Sequence, residues 1–267
     1  MSIFHLALIA VIQGLTEFLP VSSSGHLILL PLLTNLPDQG LALDVAVHVG
    51  TLLAVILYFR RDVGLAISGV PALLRGNFEL PGARLAGLLC IATVPVVIIG
   101  FVLSALDMTD ALRSIKVIGW AMLGFGIVLY WADQKGANAK TSSDWSFRDA
   151  VVLGLWQAVA LIPGTSRSGI TITGARALGY AREDAARISM LMSIPTIAAS
   201  GVLLGLDIAK QGAPGQFQDA AIAAVLAFGA ALLALTLMMR LLRSVSFTPY
   251  VIYRIGLGVL LLWIAYA

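Results

Sequence analysis

A chain of 267 residues that is 59% hydrophobic and only 12% charged lies outside the soluble globular class, where charged residues make up roughly 25%. The formal charge of +3 comes from basic residues set singly between apolar runs, never interleaved with aromatics as a patch, so nucleic-acid binding is excluded. The single cysteine, Cys90, sits inside an apolar run, which leaves neither a disulfide framework nor a Cys/His metal site. The composition is that of a chain dissolved in lipid, an all-α integral membrane protein.

In chain order, residues 2–35 are apolar but contain Gln13, Glu17 and the run Pro20-Val21-Ser22-Ser23-Ser24-Gly25-His26. No basic residue precedes them and no small-residue cleavage site follows, so they are expected to be mature protein and not a signal peptide. Proline, glycine and hydroxyls in mid-segment free backbone groups that lipid cannot satisfy, so the loop must be buried in protein or line a cavity. The economical solution is a re-entrant helix-loop-helix whose second helix runs from His26 to about Leu33. Spans are expected near 42–59, 84–106 and 114–132, each close to the roughly 17–25 residues that cross a bilayer. A polar linker near 133–146 follows, then a second hairpin over 147–179 broken by Pro163-Gly164-Thr165-Ser166-Arg167-Ser168-Gly169. Three further spans are expected near 187–207, 218–239 and 249–266.

This arrangement of six transmembrane helices plus two hairpins puts the loops 60–84, 133–148, 176–187 and 240–248 on one face. They carry twelve Lys and Arg, against Arg113, Lys116 and Lys210 opposite, a strong positive-inside bias. Asp38, Asp107, Asp110, Asp207 and Asp219 fall outside. The halves 1–132 and 147–267 then have opposite orientation, an inverted-topology repeat within one membrane domain, which sets polar broken helices against each other near mid-membrane. Sequence identity between the halves is faint, essentially a proline followed by hydroxyls and glycine. Both termini are expected on the outer side, which for a bacterial inner membrane is the periplasm.

At 1.5 Å per residue, a helix from residue 2 carries Glu17 roughly 20 Å inward, and one from Asp149 carries Ser166 about as far from the other face. Gln13 and Glu17, four apart, share a helix face. A carboxylate in lipid is a functional candidate; the plainer reading is a protonated Glu17 bonded to Gln13 or to a neighbouring span. Ser22, Ser23 and Ser24 precede a helix start, where hydroxyls serve as caps, and where free N–H groups favour phosphate. Thr165, Ser166 and Ser168 repeat that arrangement, and Arg167 adds a permanent cation with a bidentate fork. Arg167 could instead be a structural ion pair with Glu17. Two helix starts, an arginine, a carboxylate, hydroxyls and His26 describe phosphoryl transfer better than any other chemistry. Asp44 and His48, four apart on the first span, either line the cavity or satisfy each other. His5 is expected at the interface, and Arg254 is expected to snorkel from the last span.

At these residues the chain resembles the undecaprenyl-diphosphate phosphatase family, also called bacitracin-resistance proteins. Gln13-Gly14-Leu15-Thr16-Glu17 matches the family's (Glu/Gln)-x-x-x-Glu, Pro20 to His26 its Pro-Val-Ser-Ser-(Ser/Thr)-Gly-His, and Pro163 to Gly169 its Pro-Gly-x-Ser-Arg-Ser-Gly. The resemblance implies removal of the terminal phosphate of undecaprenyl diphosphate, recycling the lipid carrier for peptidoglycan and envelope synthesis and conferring bacitracin resistance. It implies Ser23 as nucleophile, His26 as acid/base or as the nucleophile in a competing view, Arg167 as the phosphate clamp, and Glu17 as a metal-associated carboxylate. Mg2+ or Ca2+ would be the cofactor, and a homodimer is left open. Gln13 departs from the many relatives with Glu there, which puts two-acid chelation in doubt. Acid-phosphatase-like lipid phosphatases share fragments of the motifs, but their second histidine would fall at Thr173. The rival reading is a lipid-phosphate flippase or transporter, because inverted repeats with broken helices are a transporter architecture.

Overall fold

The computed structural model describes residues 2–34, 40–106, 108, 112–211 and 217–267. Among them are eleven α-helices, one short 3-10 turn and no strand. Five helices are long and apolar enough to cross a membrane: α5 (Pro81–Ala105), α6 (Ile115–Lys135), α9 (Arg182–Gln211), α10 (Phe217–Leu241) and α11 (Thr248–Tyr266). A sixth candidate joins α3 (Leu41–Tyr58) to α4 (Arg60–Leu74) through a 90° bend. Large apolar side chains such as Phe101, Trp120, Val225 and Ile252 stand more than half exposed, and apolar surface on that scale needs lipid to cover it. The chain is a multi-pass membrane protein.

The two segments expected as hairpins each hold a pair of helices, α1 (Ile3–Phe18) with α2 (Ser23–Thr34), and α7 (Phe147–Val159) with α8 (Arg167–Ala177). Pro20 disfavours helix at the residue before it, and α1 ends accordingly at Phe18. Helix α2 begins at Ser23, three residues before the expected His26, which moves Ser23 and Ser24 into its first turn. Helix α1 packs on α10 as α7 packs on α5. Both contacts are made through glycine. A Cβ on Gly14 would stand 2.7 Å from the Ala227 carbonyl, and one on Gly154 would stand 2.8 Å from that of Ala92. The first glycine belongs to Gly14-Leu15-Thr16-Glu17 and the second to Gly154-Leu155-Trp156-Gln157. This correspondence extends the faint proline-hydroxyl-glycine similarity between the halves.

The segments expected to form the basic face depart from expectation in several ways. The loop expected over 60–84 contains α4, which turns Leu65, Ile67, Val70 and Leu74 outward, the pattern of a helix lying in the membrane interface. The linker over 133–146 is not a free polar tether. Asp133 is buried and accepts from Arg176 Nε at 3.1 Å, Arg182 Nε at 2.7 Å and the Phe247 N–H at 3.2 Å. Arg176, counted among solvated loop charges, is fully buried and also donates to Asn138 Oδ1 and the Tyr180 carbonyl. Buried charges survive where they are paired and hydrogen-bonded, and this network fastens the end of α8 to α6. Nearby, Asp149 accepts from Tyr180 at 2.6 Å and Lys140 at 3.0 Å. Burial works to raise the Asp149 carboxyl, but these bonds prevail and hold it below the usual carboxylate range. Burial first, then the bond to Asp149, push the Tyr180 phenol up.

Two further residues differ from expectation. His5, expected at the interface, has its side chain buried in the protein, and Arg254 does not snorkel: it is fully buried behind the second hairpin loop. Asp38, Asp107 and Asp110 lie outside the described residues, as do the side chains of Asp207 and Lys210.

Candidate active site

The two hairpin loops meet and cross. The Gly164 N–H donates to Ser24 Oγ at 3.2 Å, and Ser168 Oγ donates to the Leu19 carbonyl at 3.0 Å. Within each loop the hydroxyls repeat the same contact, Ser22 to Ser24 at 3.0 Å and Ser166 to Ser168 at 3.2 Å. Ser22 and Ser166, each immediately before a helix, have φ of 72° and 68°. Left-handed backbone at a residue other than glycine costs on the order of 1–3 kcal/mol and gathers at functional sites. Ser22-Ser23-Ser24-Gly25 and Ser166-Arg167-Ser168-Gly169 therefore correspond residue for residue, with Ser23 in the place of Arg167.

Between the loops lies a cavity of about 240 Å³ lined by Thr16, Glu17, Ser22, Ser23, Ser24, His48, Gly164, Ser166 and Arg167, with Val45, Ala160, Ile162 and part of α9. Glu17 is its hub. Oε1 accepts from Arg167 Nη2 at 2.8 Å, and Oε2 accepts from Gln13 Nε2 at 2.8 Å and from Ser23 Oγ at 3.4 Å. His48 Nε2 lies 3.8 Å from Oε2 and 3.1 Å from Gln13 Nε2. The amide nitrogen donates there, so His48 Nε2 is the acceptor and Nδ1–H donates to the Asp44 carbonyl at 2.7 Å. The 3.4 Å contact of Ser23 is long, as catalytic hydrogen bonds often are without substrate. Arg167 uses one arm on Glu17, and its Nη1 is buried with no hydrogen-bond partner among the described residues.

Of the residues expected to act on phosphate, Ser22, Ser23, Ser24, Ser166, Arg167 and Glu17 line the cavity, and His26, Thr165 and Ser168 do not. Thr165 and Ser168 are fully buried behind the loop, where Ser168 ties the hairpins together. His26 is turned aside: Nδ1 meets the Ser22 carbonyl at 2.7 Å and Nε2 meets Tyr253 Oη at 2.7 Å, with the two rings stacked. Gln13 supports Glu17 from beneath, and His48 takes the wall position while Asp44 offers its carbonyl. Sequence reasoning missed Thr196 and Ser200, which close the far wall from α9. Pro195 inside that apolar helix, with hydroxyls on either side of it, was the available signal.

Among the described residues no group of three His, Cys, Asp or Glu could hold a metal ion. Among the described residues Glu17 is the only carboxylate on the cavity wall, and it is already neutralised by Arg167. Gln13 Oε1 is buried without a partner, but a neutral amide oxygen beside one committed carboxylate is a poor cage for a hard dication. The described residues do not fit a protein-held metal.

Comparison with known proteins places these features in a wider set. Residues 6–260 match the family model of the bacitracin resistance protein BacA. The chain is 67% identical to the undecaprenyl-diphosphatase of Dinoroseobacter shibae and 67% identical to that of Ruegeria pomeroyi, in each case over the full length of both chains. It is 45% identical to the undecaprenyl-diphosphatase of Maricaulis maris over 98% of each chain.

Proposed function

Because the chain belongs to the bacitracin resistance protein BacA family, we propose that it is a phosphatase that removes the terminal phosphate of undecaprenyl diphosphate at the crossing of its two hairpin loops. The observation that carries this reading is the convergence of Ser23, Glu17 and Arg167 on one cavity, with an unused donor on Arg167. A volume of about 240 Å³ is below the roughly 300–1,000 Å³ of sites that engulf a drug-sized ligand. It suits a phosphate headgroup whose isoprenoid chain stays in the bilayer.

The terminal phosphate enters against the starts of α2 and α8, where unpaired N–H groups and the helix dipoles favour an anion. Arg167 donates to its equatorial oxygens. Ser23 Oγ attacks the terminal phosphorus while the bond to the bridging oxygen breaks, and the lipid monophosphate leaves with that oxygen. The Ser23 proton passes to Glu17 Oε2. Phosphoryl transfer is largely dissociative, so charge stabilisation and alignment outweigh base strength. Water then attacks the phosphoserine, releasing inorganic phosphate and returning the proton to Ser23. Ser23 is preferred over His26 as nucleophile because it lines the cavity, whereas His26 is held by Tyr253. A divalent ion, Mg2+ or Ca2+, belongs in this reading with the diphosphate, since hard cations bind substrate phosphates readily with few protein carboxylates; no step above depends on it.

The reading takes the six spans and two re-entrant hairpins as an inverted repeat in the bacterial inner membrane, both termini and the cavity mouth facing the periplasm. The product would be the monophosphate carrier returned to peptidoglycan synthesis. A flippase would need its halves to rock, but the bonds Gly164 to Ser24 and Ser168 to Leu19 stitch them together at the site. Purified protein in detergent should release phosphate from undecaprenyl diphosphate and stop at the monophosphate. Lipid movement across liposomes with no phosphate release would overturn the proposal in favour of transport.

A further inference from the structure

Arg254 has no part in the chemistry above, yet it is the most costly side chain near the cavity. It lies on α11, fully buried, with no acidic partner among the described residues. Its Nη2 donates to the carbonyls of Gly164 at 3.2 Å and Thr165 at 2.8 Å. Nε and Nη1 have no hydrogen-bond partner among the described residues. The guanidinium reaches the loop only because residue 169 is glycine: a Cβ there would stand 2.6 Å from Nη1. A buried cation without a counter-charge is retained only where something offsets its desolvation.

We propose that Arg254 is a positioning residue that turns the backbone of the second loop into an anion-binding surface and supplies part of its positive field. In a trans peptide the C=O and the following N–H point in opposite directions. Holding the Gly164 and Thr165 carbonyls back toward α11 therefore turns the next two N–H groups the other way. The Thr165 N–H is consumed by the Ile162 carbonyl at 3.2 Å. The Ser166 N–H remains, joined by those of Arg167 and Ser168, which have no intrahelical acceptor at a helix start. Ser166, the residue that follows these two carbonyls, has a left-handed φ of 68°. Without Arg254 the two carbonyl oxygens are free to rotate toward the cavity, where their negative ends would oppose a phosphate. The permanent charge behind the loop completes the arrangement: it attracts the anion without touching it, and its natural counter-charge is the substrate. This inference rests on the phosphatase reading of the cavity.

The test compares wild type with Arg254→Met, which keeps most of the volume, and Arg254→Lys, which keeps the charge and can donate to both carbonyls. Each is purified in detergent, checked for its melting temperature, and assayed for phosphate release from undecaprenyl diphosphate and for inhibition by orthovanadate. Wild type without turnover refutes the phosphatase reading itself. With active wild type, Arg254→Met is expected to lose about 100-fold or more in kcat/KM, the scale of losing one preorganised donor to a developing oxyanion. Its orthovanadate inhibition should weaken at least about tenfold, and Arg254→Lys should regain most of both losses. A folded Arg254→Met with wild-type kcat/KM and wild-type inhibition overturns the proposal. So does a loss that follows only the melting temperature and is not relieved by lysine. Should Arg254→Met fail to fold, Gly169→Ala displaces the guanidinium while keeping its charge: weakened orthovanadate inhibition supports the proposal, and unchanged inhibition overturns it.

Discussion

Replacing Arg167 separates the structural worth of the ion pair from its role toward phosphate. Arg167 and Glu17 meet at 2.8 Å with side chains 13% and 8% exposed. At an effective dielectric near 20, that distance gives a gross attraction of about 6 kcal/mol, offset largely by the cost of burying both charges. Removing one partner alone leaves the other uncompensated, a penalty of about 3–5 kcal/mol. Arg167→Ala should therefore lower the melting temperature in detergent and abolish phosphate release. The double variant Glu17→Gln/Arg167→Met should recover most of the stability, because a neutral pair of similar volume is commonly as stable as the ions it replaces. It should stay inactive. Arg167→Lys keeps the charge but not the fork, so it can serve Glu17 or a phosphate oxygen but not both. It should melt near wild type and lose about 10²–10³ in kcat, as when one transition-state donor is removed. Additive stability losses in the cycle, or turnover in the double variant, would refute this account of the pair.

Ser23→Ala should abolish turnover without altering the melting temperature, whereas Tyr253→Phe, which releases His26 Nε2 from its 2.7 Å partner, should keep activity within about tenfold of wild type; the reverse order would move the chemistry to His26. Asp133→Ala strands the buried Arg176 and loosens Arg182, so stability should fall by about 3–5 kcal/mol while activity per folded molecule is unchanged, as read by melting and by assay of the monodisperse fraction. The Asp149 carboxyl, held below its usual range by Tyr180 and Lys140, stabilises the fold above the unfolded-chain value of about 3.9. That contribution fades as the pH falls through the folded value, and Asp149→Asn should flatten the acid limb of the melting-temperature profile.

The hairpins and their residues were legible because lipid makes polar groups conspicuous: Glu17, the serine run and Arg167 have no reason to stand inside apolar segments unless they serve one another. The positive-inside count rested on the same asymmetry, although two of its features were misread. Arg176 looked like any loop cation, since nothing in the sequence ties it to Asp133, 43 residues away. Helix α4 looked like a loop because its arginines and Pro71 interrupt the apolar pattern. Arg254 was read as snorkelling for want of a partner nearby in sequence; its partners are the Gly164 and Thr165 carbonyls 90 and 89 residues away. His26 stood within a motif and so looked committed to the cavity, but its orientation depends on Tyr253, 227 residues distant. The internal sequence similarity was more legible than it looked. Gly14-Leu15-x-Glu17 against Gly154-Leu155-x-Gln157, and Ser22-x-Ser24-Gly25 against Ser166-x-Ser168-Gly169, follow in the same order, offset by 140 and 144 residues. Their function as helix contacts and crossed loops becomes apparent only in three dimensions.

Rapid mixing with undecaprenyl diphosphate labelled in its terminal phosphate, followed by quenching and peptide mapping, examines the cavity chemistry at the reacting atom. Label is predicted on Ser23, formed and discharged within one turnover, and formed about 10²–10³ times more slowly in Arg167→Lys. Label on His26, or full turnover by Ser23→Ala, would contradict the account.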